Sequence, residues 1–289
     1  MRRSLLSVSL AALVVLIWPV SALANTLVPL GTAKNYAVIA GTTITNSGPS
    51  WVTGQMALSP GTSVTGFPPG TSGHKDIGPS NGAANQAKAD LTAAYGNAAG
   101  QTPFTSLPTE LGGRTLNRGT YRQGTAGLTG TLTLNGQGSN NGVWIFQIAS
   151  TLITGAATGA RVRLINGAQP CDVFWQVGSS ATIGTSTVFV GNIMALATVT
   201  MNTGASLNGR AMAQTGAVNL HTNRIIQPSG CGAAIPAGVA CPSVCILPPN
   251  LGVPGDMQRE FPWLLVVGVG AGLGATALGV VSMRRRRTA

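Results

Sequence analysis

A loose repeat between Val143 and His221 constrains the fold more than any other feature of the chain. Ile145-Phe146-Gln147-Ile148-Ala149-Ser150 is echoed by Phe174-Trp175-Gln176-Val177-Gly178-Ser179, and more faintly by Ile193-Met194-Ala195 and Ala211-Met212-Ala213. After each copy comes a short segment in which apolar and polar residues alternate: Leu152-Ile153-Thr154, Ala181-Thr182-Ile183, Val199-Thr200-Met201 and Val218-Asn219-Leu220. Short repeated units of this kind cannot bury an apolar face alone and must stack on one another. Their β-branched residues, punctuated by Gly and Asn, point to coils of β-strand rather than helical repeats.

The two strand types differ in what they bury. Val143-Trp144-Ile145-Phe146 and Val188-Phe189-Val190 are apolar at every position and are expected to be covered on both sides. The alternating segments have one inward and one outward side. With Leu132, Leu134, Leu152, Ile183, Val199, Met201, Val218 and Leu220 inward, the outward set contains Thr131, Thr133, Thr151, Thr182, Thr198, Thr200 and Asn219. Nearer the N-terminus, Thr43-Ile44-Thr45 and Ser63-Val64-Thr65 add Thr43, Thr45, Ser63 and Thr65. None of these eleven residues is charged. They form a candidate binding face.

Between the strand blocks, Asn81–Ala99 is predicted as a helix, capped by Ser80, with Ala84, Ala87, Leu91, Tyr95 and Ala98 on one face. Leu107–Gln123 is expected to be loop, anchored by Leu116 and Tyr121, and Arg161–Asn166 to be strand.

The chain ends have a different character. Residues 1–24 combine Arg2-Arg3, an apolar run and Ala22-Leu23-Ala24, the pattern of a cleaved secretory signal. After Ile226, proline recurs without periodicity, and 227–260 is expected to be a stiff spacer. Residues 261–283 carry no charge and precede Arg284-Arg285-Arg286-Arg287. That pattern predicts a transmembrane helix with a cytoplasmic basic tail, 284–289. A secreted, cell-surface protein anchored in the plasma membrane is the resulting expectation, with residues 25–226 outside the cell.

Of 17 basic residues, six lie in the two end segments, leaving 11 against 6 acidic, or +5. These are scattered, whereas nucleic-acid binding wants a dense basic stripe, so no nucleic-acid partner is expected. The four cysteines, Cys171, Cys231, Cys241 and Cys245, read as possible disulfide residues with three pairings open. Their spacing suggests no metal site, and no cofactor is expected. Gly78-Pro79-Ser80-Asn81-Gly82, with Asp172 and His221 later in the chain, matches the residue order of an α/β-hydrolase. One helix is too few for that fold, and neither an enzyme nor a small-molecule substrate is expected.

Several stretches together resemble a known family. They are Leu30-Gly31-Thr32-Ala33-Lys34-Asn35-Tyr36-Ala37-Val38-Ile39-Ala40-Gly41, Ala87-Lys88-Ala89-Asp90-Leu91, Gly142–Ile148, Val173–Thr182, Gly191–Ala195 and Leu207–Ala211. They resemble the microbial ice-binding (antifreeze) proteins of the DUF3494 type over roughly Leu30–Ile226. The resemblance implies a mainly β fold: a right-handed discontinuous β-solenoid of triangular section, with one long α-helix packed alongside. It also implies adsorption to ice through one flat solenoid face, which would inhibit ice growth or recrystallisation or attach the cell to ice. A surface adhesin or structural module that binds carbohydrate is the alternative class.

Overall fold

The computed structural model describes residues 26–155 and 159–229. The predicted signal (1–24), most of the spacer, the expected span over 261–283 and the basic tail lie outside the described residues, as do Cys231, Cys241 and Cys245.

Strands follow one another three to a turn. The first turn is β1 (Tyr36–Ala40), β2 (Thr43–Ser47) and β3 (Trp51–Thr53); the next is β4 (Gln55–Leu58), β5 (Ser63–Thr65) and β6 (Lys75–Ile77). Helix α1 spans Gly82–Gly100. Short strands β7 (Thr105–Ser106) and β8 (Thr115–Asn117) lead into β9 (Gly119–Gln123), β10 (Ala126–Leu128) and β11 (Thr131–Asn135). Then come β12 (Trp144–Ile148), β13 (Leu152–Thr154) and β14 (Arg161–Ile165), followed by β15 (Val173–Val177) and β16 (Ala181–Ile183). The last elements are β17 (Val188–Ala195), β18 (Val199–Met201), β19 (Ser206–Ala213), β20 (Val218–His221) and β21 (Arg224–Ile226).

Every strand pairing is parallel, as stacked coils require. One sheet has the order β10-β13-β16-β18-β20-β2-β5. A second row of strands runs β6-β4-β1-β19-β17-β15-β12-β9-β7. The third runs β8-β11-β14-β17-β19-β21-β3. Spatial order departs from chain order: β1, β2 and β3 lie beside β19, β20 and β21. The N-terminal coils therefore stack on the C-terminal ones.

Strands β17 and β19 belong to two rows because each turns a corner. Their first residues pair with β14 and β21, their later ones with β15 and β1. Gly191 and Gly209 pair at that corner. Gly191 has φ +112°, a conformation open chiefly to glycine, and a Cβ on Gly209 would lie 1.9 Å from the Gly191 carbonyl oxygen.

Between the three rows lies the core. Tyr121, Phe146, Trp175 and Phe189 stack through it with ring centroids 5.5, 4.0 and 4.9 Å apart. The Trp175 indole N–H donates to the Val190 carbonyl at 2.9 Å, so the buried ring carries no unmet donor.

The helix covers the second row, which is why β12 and β15 are buried at every position. Ala84, Ala87, Leu91, Ala94 and Ala98 face Tyr36, Ile39, Ala57, Ile145, Phe174, Met194 and Met212. Small side chains let the helix lie close to the strands. Tyr95 sits at the margin instead: its hydroxyl accepts from Gln176 at 2.7 Å and donates to the Val177 carbonyl at 3.4 Å. The cap is Asn81 rather than Ser80, its Oδ1 accepting from the Ala84 N–H at 3.1 Å. Such a cap contributes about 1 kcal/mol. At the other end Gln147 donates to the Ala98 and Gln101 carbonyls, both at 2.9 Å, satisfying groups a helix terminus leaves open. Lys88 reaches the Ala213 and Gln214 carbonyls, and burial lowers its ammonium to about 8.

Leu107–Gln123 is not all loop, since it contains β8 and β9. Strand β9 lacks an apolar run because Thr120 and Gln123 occupy buried places beside β12.

Localisation needs a correction too. The sequence suggested a surface protein held in the plasma membrane by a C-terminal span. No helix among the described residues is long and apolar enough to cross a membrane, α1 included.

Candidate functional site: the seven-stranded face

Strands β10, β13, β16, β18, β20, β2 and β5 form the seven-stranded sheet, which α1 does not cover. Their inward residues are Ala126, Leu152, Ala181, Val199, Val218, Ile44 and Val64, aligned across the sheet by the strand register. Each of the next residues along points outward. In the same register these are Gly127, Ile153, Thr182, Thr200, Asn219, Thr45 and Thr65.

A second outward row runs beside the first. Thr43 pairs with Ser63. On the other strands the ladder continues through Thr151, Ser180, Thr198 and Ala217, whose carbonyls accept from Ala126, Leu152, Ala181 and Val199 at 2.9, 3.2, 2.9 and 3.0 Å. Rows along a strand repeat at roughly 6.7 Å and strands at ~4.8 Å, so the outward groups form a two-dimensional lattice. Thr45 donates to Asn219 Oδ1 at 2.8 Å, and Asn219 donates to Thr200 at 3.5 Å. These bonds tie three neighbouring strands together in the first row and fix their side chains.

The two rows carry no Asp, Glu, Lys or Arg. Ile153, 52% exposed, is their one large apolar side chain. His221, paired with Ser47, marks the border of the face.

Of the eleven residues expected on a single face, the structure brings nine together here: Thr43, Thr45, Ser63, Thr65, Thr151, Thr182, Thr198, Thr200 and Asn219. Thr131 and Thr133 stand elsewhere. They are on β11 in the third row of strands, paired with Arg161 and Arg163. Alternation assigns a residue to the outside of its strand but cannot tell which side of the coil that strand occupies. Ser180, Ile153, Gly127 and Ala217 were missed, and they complete the rows. Register with Thr198, Thr182 and Ile153 would have found the first three.

Among the described residues no other arrangement gathers reactive groups. Ser80 is exposed in the turn before α1, Asp172 is buried before β15 and His221 ends β20, so the hydrolase-like order is spread over separate elements. Asp172 and Arg210 line a cleft of about 720 Å³. Burial raises the Asp172 carboxyl to about 6 and lowers the Arg210 guanidinium to about 10. Arg210 is spent on structure: it donates to Asn192 Oδ1 at 2.8 Å and twice to the Lys34 carbonyl. Cys171 is disulfide-bonded, and its partner lies outside the described residues. Among the described residues no group of His, Cys, Asp and Glu could hold a metal ion.

A parallel β-solenoid, one side covered by a helix and another free of it, uncharged along its strands and rich in hydroxyls, defines the class of protein. The chain belongs to the Ice-binding-like family, whose family model matches residues 38–226. It is 45% identical over 199 residues to an ice-binding protein of Nostoc sp. (strain HG1), covering 68% of this chain and 72% of that one. An ice-binding protein of Flavobacterium frigoris (strain PS1) is 36% identical over 217 residues, covering 70% and 77%.

Solved structures agree. The crystal structure of an ice binding protein from an Antarctic Biological Consortium superposes with a TM-score of 0.68 at 40% identity, over 73% of this chain and 95% of that one. The DUF3494 domain of Shewanella frigidimarina ice-binding protein 1 gives 0.61 at 31% identity, over 70% and 97%.

Proposed function

We propose that this protein adsorbs to ice through the seven-stranded face and so inhibits ice growth or recrystallisation. The residues we assign to contact are the nine named above, with Ser180 and Ile153. In this reading the chain winds as a right-handed, discontinuous solenoid, the hand in which parallel strands are almost always joined. Residues 25–226 make up the adsorbing domain.

The observation that carries the reading is the uncharged lattice on seven parallel strands. Ice presents a periodic array of oxygen sites, so a complementary surface must be periodic and stiff. Threonine suits it because its χ1 is restricted, and holding its methyl and hydroxyl in place costs little entropy on binding. The methyl keeps disordered water from competing, while the hydroxyl hydrogen-bonds to ordered water. A charged group would retain its own hydration shell against the lattice. Each contact is weak, and the area and rigidity of the sheet supply the adsorption. The kinship with proteins named for ice binding supports the same conclusion.

Ice-affinity partitioning tests it. The purified protein is expected to enrich in a slowly grown ice front and to facet a growing crystal. A protein excluded from the ice fraction to the same extent as serum albumin would end the proposal.

A further inference from the structure

The third row of strands presents a different chemistry. Register places Thr131, Arg161, Val188, Ser206, Arg224 and Trp51 in one line across β11, β14, β17, β19, β21 and β3, with Ser206 buried and Arg161 and Trp51 exposed. Arg163 lies two residues along β14 from Arg161 and pairs with Thr133. Arg161 and Arg163 are exposed, and Trp51 is 51% exposed with the Arg224 guanidinium 4.6 Å from its ring centroid.

Among the described residues no acidic residue stands on the strands of this row. The carboxylates among the described residues belong to β6 (Asp76), α1 (Asp90), the turn after β7 (Glu110) and the buried end of the loop before β15 (Asp172). The ion pair found among the described residues joins His74 to Asp76, away from this face. A row with three arginines is thus set beside a sheet whose seven strands carry no charge on their outward rows, Glu110 bridging to Gly127 at its β10 edge.

We propose that this arginine-bearing face binds a linear acidic polysaccharide, a polymer of uronate-containing sugars. The row is seven strands long and exposed at Arg161, Arg163 and Trp51, which suits a chain lying across strands rather than a small molecule in a pocket. Guanidinium groups pair with carboxylates in a bidentate manner. Thr131, Thr133 and Asn135 stand in the next strand, where they can bond sugar hydroxyls. Half-exposed Trp51 offers a flat ring to the apolar side of a pyranose.

The density of charge argues against two other polyanions. Duplex nucleic acid wants a crowded basic stripe. An anionic bilayer wants clustered cations with a broad apolar face to insert. Three arginines spaced among hydroxyl and amide groups match a polymer that is itself mostly hydroxyl.

The full-length protein is passed over alginate, a polyuronate, coupled to beads, with neutral dextran beads alongside. We expect retention on alginate, release by high salt and none on dextran. Arg161→Gln/Arg163→Gln is expected to weaken retention roughly tenfold, each exposed arginine–carboxylate contact being worth a factor of about three. Trp51→Ala should weaken it as well. All variants should keep wild-type partitioning into ice, which separates the fate of this proposal from that of the ice reading. Undiminished retention of the double arginine variant would overturn the proposal. So would equal retention on dextran, or tighter binding to duplex DNA or phosphatidylglycerol vesicles than to alginate.

Discussion

Thr200 occupies the fourth of the seven strands in the bare sheet and lies in the first of its two outward rows, with Thr182 and Asn219 on either side. Replacing it with tyrosine therefore puts a ring at the centre of the surface assigned to ice. The fold should hardly notice. Thr200 is a half-buried outward residue, and the bond it accepts from Asn219 is long, at 3.5 Å. Losing such a bond costs about 0.5 kcal/mol, and tyrosine is a good strand residue. For a domain of this size, less than about 1 kcal/mol means a melting shift under roughly 4 °C. Adsorption should suffer far more. The sheet is six strand spacings wide, roughly 29 Å. A flat plane resting on a central protrusion can meet only one side of it. Losing even half of many weak contacts should reduce the ice-bound fraction at least about tenfold, or about 1.4 kcal/mol. The same change at Thr65, on the edge strand β5, should leave most of the contact area and most of the partitioning. Ice-affinity partitioning and thermal melts on the two variants are the assay. If Thr200→Tyr melts like the wild type and still partitions fully into ice, contact is made elsewhere and the reasoning fails.

The other predictions concern register, packing and titration. Thr133→Tyr on β11 should leave ice partitioning unchanged, because it lies beside Arg163 in another row of strands; a loss equal to that of Thr200→Tyr would refute the placement. Gly209→Ala should destabilise by about 3 kcal/mol or more, since its Cβ would meet the Gly191 carbonyl oxygen at 1.9 Å, backbone that cannot swing aside. Gly82→Ala, with nothing within 4 Å, should melt at or slightly above the wild type. Burial raises the Asp172 carboxyl to about 6, so between about pH 4 and that value the folded chain holds a proton that the unfolded chain has released. This group's contribution is full below about pH 4 and is lost as pH rises through about 6, at most about 3 kcal/mol. Asp90 acts in the opposite sense, its carboxyl held low by hydrogen bonds from Thr32. Urea midpoints of wild type and Asp172→Asn at the two pH values isolate the Asp172 term. The variant should lose less stability, or gain more, on going from acid to pH 6.5, and parallel behaviour would rule the effect out.

Much of this architecture was legible in the chain because stacking imposes repetition. The doubly apolar segments Trp144–Ile148 and Val173–Val177 told of a cover on both sides, and the alanine-rich helix that supplies it could be read beside them. Alternation gave the outward sense of nine of the residues proposed for the binding face, and missed Ser180 and Ile153. It could not say which strands share a side, because that depends on corners. Thr131 and Leu132 obey the same rule as Thr200 and Met201, yet β11 follows a corner that β18 has not reached. Strand β9 escaped notice for another reason. Thr120 and Gln123 are buried polar residues, so the hydrophobic signal of a core strand is missing although the backbone pairs with β12 along its length. Arg210 was likewise unreadable as a buried residue, since its partners, Asn192 and the Lys34 carbonyl, come from distant parts of the chain.

The corner also explains how one chain carries two dissimilar surfaces. At Gly191 and Gly209 the strand continues while its side of the coil changes, and stacked glycines let neighbouring turns bend at the same height. Residues before the corner then face the arginine-bearing side, and those after it face the helix. The bare sheet stays apart from both. Its strands are three or four residues long except for β2 and present few outward positions each, so every one of those positions counts in the lattice. A charge placed there could not be diluted by neighbours, whereas Arg161 and Arg163 on five-residue β14 can be spaced among uncharged groups. Strand length alone does not decide the chemistry, since Arg224 stands on three-residue β21; what the bare sheet needs is that each outward position keeps its register. Inserting one residue into the turn after β16, at Gly184-Thr185, would test this. It should be absorbed in the loop without disturbing the bare sheet. One residue inserted within β18 would reverse inward Met201 and outward Thr200, and would abolish ice partitioning and core packing together.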